Sequence, residues 1–134
     1  MIEVTIDKQI RFDLPEGWFE SQITGLKPSN KQTAKGTQPW CRINFEVEVP
    51  GMRDYDCRAG RNFQLSLKPG SDLRNFVLPV LGAEFFTLNS CKTVNLEAEL
   101  VGMRVLAQLR HYHGDGYEKP LTIVEQIKPQ EQLN

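Results

Sequence analysis

Cysteine is scarce in this sequence. Cys41, Cys57 and Cys91 are odd in number, widely spaced, and never in a C-x-x-C pair. Such a set makes neither a disulfide framework nor a zinc ligand set, so the reading is a reduced, cytoplasmic protein with no cofactor or metal. Also lacking is any apolar run near the ~20 residues that cross a bilayer. The opening M-I-E-V-T-I-D alternates and carries acids, unlike a signal peptide, so no membrane is expected. The motifs G-x-S-x-G, P-loop and H-E-x-x-H are missing, and the sequence points to no enzyme. Charge of one sign is not in excess: 16 Lys and Arg face 17 Asp and Glu, for a net −1. That total does not by itself suggest a nucleic-acid partner. No repeat or low-complexity segment interrupts the chain, which reads as one domain over 1–129 with a short polar tail at 130–134.

The most informative stretch is Trp40 to Val49, W-C-R-I-N-F-E-V-E-V. Cys41, Ile43, Phe45, Val47 and Val49 fall on one side of a strand; Trp40, Arg42, Asn44, Glu46 and Glu48 fall on the other. The inner side is fully apolar. The outer side opens with an aromatic beside an arginine, and a core needs neither there.

Ahead of it, residues 1–14 form an extension, a hairpin or added strand, with Ile2, Val4 and Ile6 followed by Ile10, Phe12 and Leu14. Pro15-Glu16-Gly17 breaks this, and Trp18 to Leu26 is the first long strand, with a bulge or bend at Gly25. Trp18 is expected to close the base of the fold. Lys27 to Pro39 has no apolar period and reads as a long, mobile loop. Tyr55 to Leu67 is a third strand, with Phe63, Leu65 and Leu67 inward and a bulge at Ala59-Gly60. One helix runs from the cap Ser71 to the stop Gly82, with Pro79 expected to kink or shorten it. Phe85, Phe86 and Leu88 read as a lid on the core, and Asn95 to Leu100 as one helical turn. Gly102–His113 and Tyr117–Ile127 are two further strands joined by the Gly114-Asp115-Gly116 turn. The order fits a mainly β protein, an OB-fold: a five-stranded Greek-key barrel with a helix between strands three and four.

The segments L-P-E-G-W-F-E-S-Q-I-T-G-L-K-P-S, G-T-Q-P-W, R-I-N-F-E-V and L-V-G-M-R-V-L-A-Q-L, with a final strand ending I-K-P, carry a likeness. Over residues 14–129 the chain resembles small OB-fold proteins of phage replication regions, which are single-stranded DNA-binding proteins and their uncharacterised relatives. The resemblance implies non-enzymatic, largely sequence-independent binding of single-stranded DNA in replication or recombination, in a phage or mobile-element setting. Bacterial housekeeping members carry a glycine-rich linker and an acidic tail; this sequence has neither, so recruitment of repair partners by such a tail is not implied.

Binding a single strand needs cations for phosphates and aromatic rings for bases. Between Lys27 and Lys68, eight bases against four acids leave a local +4. On the outer face of strands two and three and the loops beside them stand Lys27, Lys31, Lys35, Trp40, Arg42, Asn44 and Arg58, with Arg61 joining if the Gly60 bulge resets the alternation. The last hairpin adds Arg110, Tyr112 and Tyr117. Each has a plainer reading: Arg42 pairing with Glu46, Trp40 as a rim residue, the lysines as solubilising charge, the tyrosines as a cross-strand pair. Three alternatives stay open. The barrel serves as a protein-interaction module in a replication or virion assembly; His111 and His113 bind a metal; or the strand bound is RNA. Exposed edge strands, the N-terminal one included, offer pairing between copies.

Overall fold

In the computed structural model, which describes residues 1–114, Gly116 and 119–130, every inner residue of the Trp40–Val49 stretch is buried. The elements are β1 (Gln9–Arg11), β2 (Gly17–Thr33), β3 (Gly36–Val47), β4 (Tyr55–Gln64), α1 (Asp72–Leu81), α2 (Ala83–Leu88), α3 (Leu96–Leu100), β5 (Arg104–Tyr112) and β6 (Leu121–Pro129). The strands form one six-stranded sheet in the order β1-β4-β3-β2-β5-β6. All pairings are antiparallel except β1 on β4. The protein is thus mainly β with few helices, and among the described residues no ladder joins β4 to β6 to close the sheet.

The inner face follows the alternation. Ile23, Ile43, Phe45, Phe63, Val105, Ala107, Leu109, Val124 and Ile127 meet Leu73, Phe76 and Val77 of α1 in one core. Phe76 stacks at 4.7 Å on Phe63 and edge-on at 6.3 Å to Phe45, which seats α1 on the sheet. Ser71 caps α1 by accepting from the Arg74 N–H. The helix passes Pro79 and runs on to its expected stop at Gly82 (φ 85°), so the proline does not shorten it. Three helical segments separate β4 from β5: α3 is the turn expected at Asn95 to Leu100, and α2, over the expected lid, is the addition. In the expected lid, Phe86 packs against the core under the Arg74 guanidinium, 4.5 Å from its ring, while Leu88 is exposed.

Several expectations need correction. Lys27–Pro39 is not a loop. β2 and β3 continue as a paired ribbon from Lys27↔Arg42 to Thr33↔Gly36, closed by a turn in which Thr33 Oγ1 donates to Gly36 O at 2.8 Å. The ribbon extends past the core, so neither face is buried and no apolar period is written into it. The bulge at Gly25 is present, but none exists at Gly60: β3 and β4 pair without a shift from Trp40↔Gln64 to Glu46↔Arg58. Leu65 is exposed, because β4 ends at Gln64 and the chain turns where Ser66 N–H bonds Gln64 O. Trp18 lies on the outer face of β2, 40% exposed, with Lys128 Nζ 4.4 Å from its ring centroid.

The leading segment is an added strand, not a hairpin. β1 pairs with β4, and the chain then crosses toward β6, where Leu14 accepts from and donates to Thr122 Oγ1. Ile10, Phe12 and Leu14 share a period but not a fate. Leu14 is 1% exposed and plugs the core, whereas Phe12 stays 62% exposed.

Candidate nucleic-acid interface

The register sets out the outer face of β2, β3 and β4 in cross-strand rows. Ser29, Trp40 and Gln64 make one row; Lys27, Arg42 and Asn62 the next; Gly25, Asn44 and Gly60 the third; Gln22, Glu46 and Arg58 the fourth. Side chains within and between such rows are neighbours. Trp40, Arg42 and Asn44 therefore point away from the core, as the alternation requires, and each is half-buried.

The details differ from simple surface charge. Lys31 Nζ lies 4.5 Å from the Trp40 ring centroid, so the ribbon folds a cation over the indole. The Trp40 indole N–H is buried and has no hydrogen-bond partner among the described residues. Arg42 does not pair with Glu46; its Nε donates to Asn44 Oδ1 at 3.0 Å, and its guanidinium lies flat across Gly60. A Cβ on Gly60 would come within 2.8 Å of both Arg42 Nη2 and the Ile43 carbonyl oxygen, and the backbone carbonyl, which cannot swing aside, is the reason for glycine there. Lys35 sits exposed in the ribbon turn. Arg58 is held by Asp56, with Nη2 to Oδ2 at 2.6 Å.

Arg61 is not on this face. With no bulge to reset it, Arg61 keeps the inward parity of Cys57, Ala59 and Phe63. It spans the gap between β4 and β6: Nη1 donates to Glu125 O at 2.6 Å while the guanidinium lies 4.9 Å from the Phe63 ring. Arg110 reaches the same residue from the other side, with Nε 2.5 Å from the Glu125 carboxylate.

Beside this face runs a groove of about 600 Å³, bounded by β4, the start of β6, the end of β5 and the segment before β2. Its lining includes Arg42, Arg58, Arg61, Asn62, Tyr112 and Phe12. Four residues proposed from the sequence, Arg42, Arg58, Arg61 and Tyr112, thus converge on one concave surface. Lys27, Trp40 and Asn44 lie on the adjoining sheet rows, and Lys31 and Lys35 lie farther along the ribbon. Arg110 is on the outer face of β5, outside the groove lining, and Tyr117 lies outside the described residues. Phe12, Asn62 and Gly60 were not among the site residues proposed from the sequence. Phe12 had a signal, an aromatic in a segment too polar to bury it, but the same alternation that buries Leu14 conceals this.

His111 is turned to structural use: its Nε2 lies 2.6 Å from Leu14 O, and its backbone N–H donates to Glu16. Among the described residues no group of three His, Cys, Asp or Glu is placed to hold a metal, and Asp115 lies outside them. Burial pushes the Cys41 and Cys57 thiols above their ordinary range, the opposite of what an activated nucleophile needs. Among the described residues no helix is long and apolar enough to cross a membrane.

No protein-family model and no curated protein matches this chain.

Proposed function

We propose that the protein binds single-stranded nucleic acid, DNA in the first instance, on the outer face of β3 and β4 and in the groove beside them, without catalysis. One observation carries the reading: three arginines, an asparagine and two exposed aromatic rings converge on one concave surface, continuous with a sheet face bearing Lys27 and Trp40. Cations neutralise phosphates and rings stack on bases, and neither device reads sequence. Phe12 and Tyr112 give the groove its stacking surfaces, while Arg42 and Lys27 line the approach.

The fold supports the same reading. Strands β4-β3-β2-β5-β6 follow the neighbour order of an OB barrel, and the seam such a barrel would close lies between β4 and β6. Arg61 bridges that seam to Glu125, and the segment carrying Leu14 lies against β6 there. On that reading the groove would lie on the side where OB folds hold oligonucleotides. The role that follows is protection of exposed strands during replication or recombination.

The test is quenching of Trp18 and Trp40 fluorescence by oligo-dT at two salt concentrations, with oligo-U as competitor. Saturable quenching that weakens with salt, and that Phe12→Ala with Arg42→Ala abolishes in a folded protein, supports the proposal. No binding, or binding indifferent to salt and to both substitutions, refutes it. That result favours a protein-interaction module, for which the exposed Phe12 and Leu121 in the same groove would be the anchor.

A further inference from the structure

Past the core, β2 and β3 run on as a two-stranded ribbon from Lys27↔Arg42 to Thr33↔Gly36. None of residues 27–39 is buried. Among the described residues its hydrogen bonds stay within the ribbon as far as its root. There Gln38 Oε1 accepts from Gln64 Nε2 at 2.9 Å, and Pro39 O accepts from Leu65 N–H at 3.0 Å. The ribbon buries no side chain, so ordering it costs backbone entropy that packing does not offset.

Its charge is of one sign. From Ser21 to Phe45 the sequence holds Lys27, Lys31, Lys35 and Arg42 and not one Asp or Glu, in a chain of net charge −1. The neighbouring strand β4 adds no acid from Cys57 to its end at Gln64. None of the four cations belongs to an ion pair among the described residues. By register Lys27 and Lys31 share a face with Trp40 and Arg42, and Lys35 stands at the tip. Rings and cations part company along the ribbon. Trp40 is at its root, Lys31 Nζ leans back to 4.5 Å from that ring, and residues 27–39 hold no aromatic. A single strand bound without sequence preference is held by cations and rings together. Cations without rings suit phosphates whose bases are already stacked, as in a duplex. The dimensions agree. Strands about 4.8 Å apart make a ribbon that the major groove, about 12 Å wide, admits. At about 3.4 Å per residue the free length is about 20 Å, more than the groove's depth of about 8.5 Å.

We infer that the ribbon is a duplex-gripping arm, and that the protein binds where a single strand leaves a DNA duplex. The arm enters the major groove with Lys31 and Lys35 toward its phosphates, and the unpaired strand runs past Trp40 and Arg42. The single-stranded half rests on the function proposed above; the duplex half rests on the ribbon alone.

Three labelled DNAs separate the halves in anisotropy titrations of the full chain: oligo-dT, a blunt hairpin duplex, and that hairpin carrying the same dT as a tail, on each strand in turn. The better tailed hairpin is expected to bind at least about tenfold more tightly than oligo-dT, and more tightly than the blunt hairpin. Its slope of log affinity against log salt should be steeper than that of oligo-dT by about 1.8, two duplex phosphates at about 0.9 each. Lys31→Gln with Lys35→Gln should bring the ratio of the two affinities close to one and remove the difference in slope. Both lysines are exposed, so the double variant should melt like wild type. A tailed hairpin bound no more tightly than oligo-dT, or a preference that survives loss of both lysines, overturns the inference and leaves the single-strand function standing. A blunt hairpin bound as tightly as the tailed one also overturns it, since the unpaired strand then adds nothing. Failure of oligo-dT and the tailed hairpin alike overturns both.

Discussion

Gly60→Ala is the substitution whose effects the structure separates most sharply. The added Cβ would stand 2.8 Å from Arg42 Nη2, 2.9 Å from Arg42 Cζ and 2.8 Å from the Ile43 carbonyl oxygen. The guanidinium is the end of a flexible side chain and can swing away. The carbonyl is backbone within the β3–β4 ladder and cannot move without straining the pairing at Asn44↔Gly60. Overpacking of this kind costs about 1–3 kcal/mol, offset by about 0.5–1 kcal/mol from the stiffer unfolded chain, leaving about 1–2 kcal/mol of destabilisation. With an unfolding entropy of about 2.1 cal/mol/K per residue over 134 residues, the midpoint should fall by about 4–7 °C. The two consequences of the methyl group part company in a double-mutant cycle with Arg42→Ala. For stability the costs should nearly add, because the carbonyl clash persists without the arginine. For single-stranded DNA they should not add, because both changes remove the same positioned guanidinium. Each variant and the double should lower the slope of log affinity against log salt by about 0.7, one phosphate contact. Thermal circular dichroism and fluorescence titration at several salt concentrations read the two halves. A Gly60→Ala protein as stable as wild type would refute the packing argument. Normal stability loss with additive losses in DNA binding would refute the role given to Arg42.

Other outcomes follow from burial. Leu14→Ala should cost about 2–5 kcal/mol by urea denaturation, whereas Phe12→Ala, two residues away and exposed, should leave stability unchanged and weaken DNA binding by about 1–3 kcal/mol. A thiol reagent should modify Cys91 alone in the native protein and all three cysteines after denaturation, since Cys41 and Cys57 are buried and their thiols held protonated. The hydrogen bond from Arg104 lowers the Glu48 carboxyl below its ordinary value, so its contribution to stability is present above the unfolded value and lost as pH falls through the folded one. Glu48→Gln should therefore cost under about 1 kcal/mol at neutral pH, the pair being exposed, and nothing in strong acid, as thermal midpoints across pH will show.

What could be read before the structure was whatever one buried face dictates. The inward set of β3, the bulge at Gly25, the α1 cap at Ser71 and the outward placement of Trp40, Arg42 and Asn44 all follow from local alternation or local capping. The ribbon from Lys27 to Pro39 was illegible because it buries neither side, and polarity on both faces is also how a loop is written. Gly60 was misread for a different cause. Glycine in a strand marks either a bulge or a close approach, and only the tertiary position of Arg42 decides between them. The same ambiguity misplaced Arg61, whose face depends on that choice. Trp18 was expected to close the base of the fold, but its parity with Glu20 and Gln22 puts it on the outer face. The groove itself joins Phe12 to Tyr112 across 100 positions, a juxtaposition no local pattern encodes.

The crossing of residues 9–14 over the seam has a consequence for how the molecule is made. Gln9 pairs with Tyr55, and Leu14 meets Thr122 at a separation of 108 residues. Thr122 is made 108 residues after Leu14, so Leu14 cannot dock on β6 until the strands between them have been synthesised. Contacts between positions so distant in sequence form slowly.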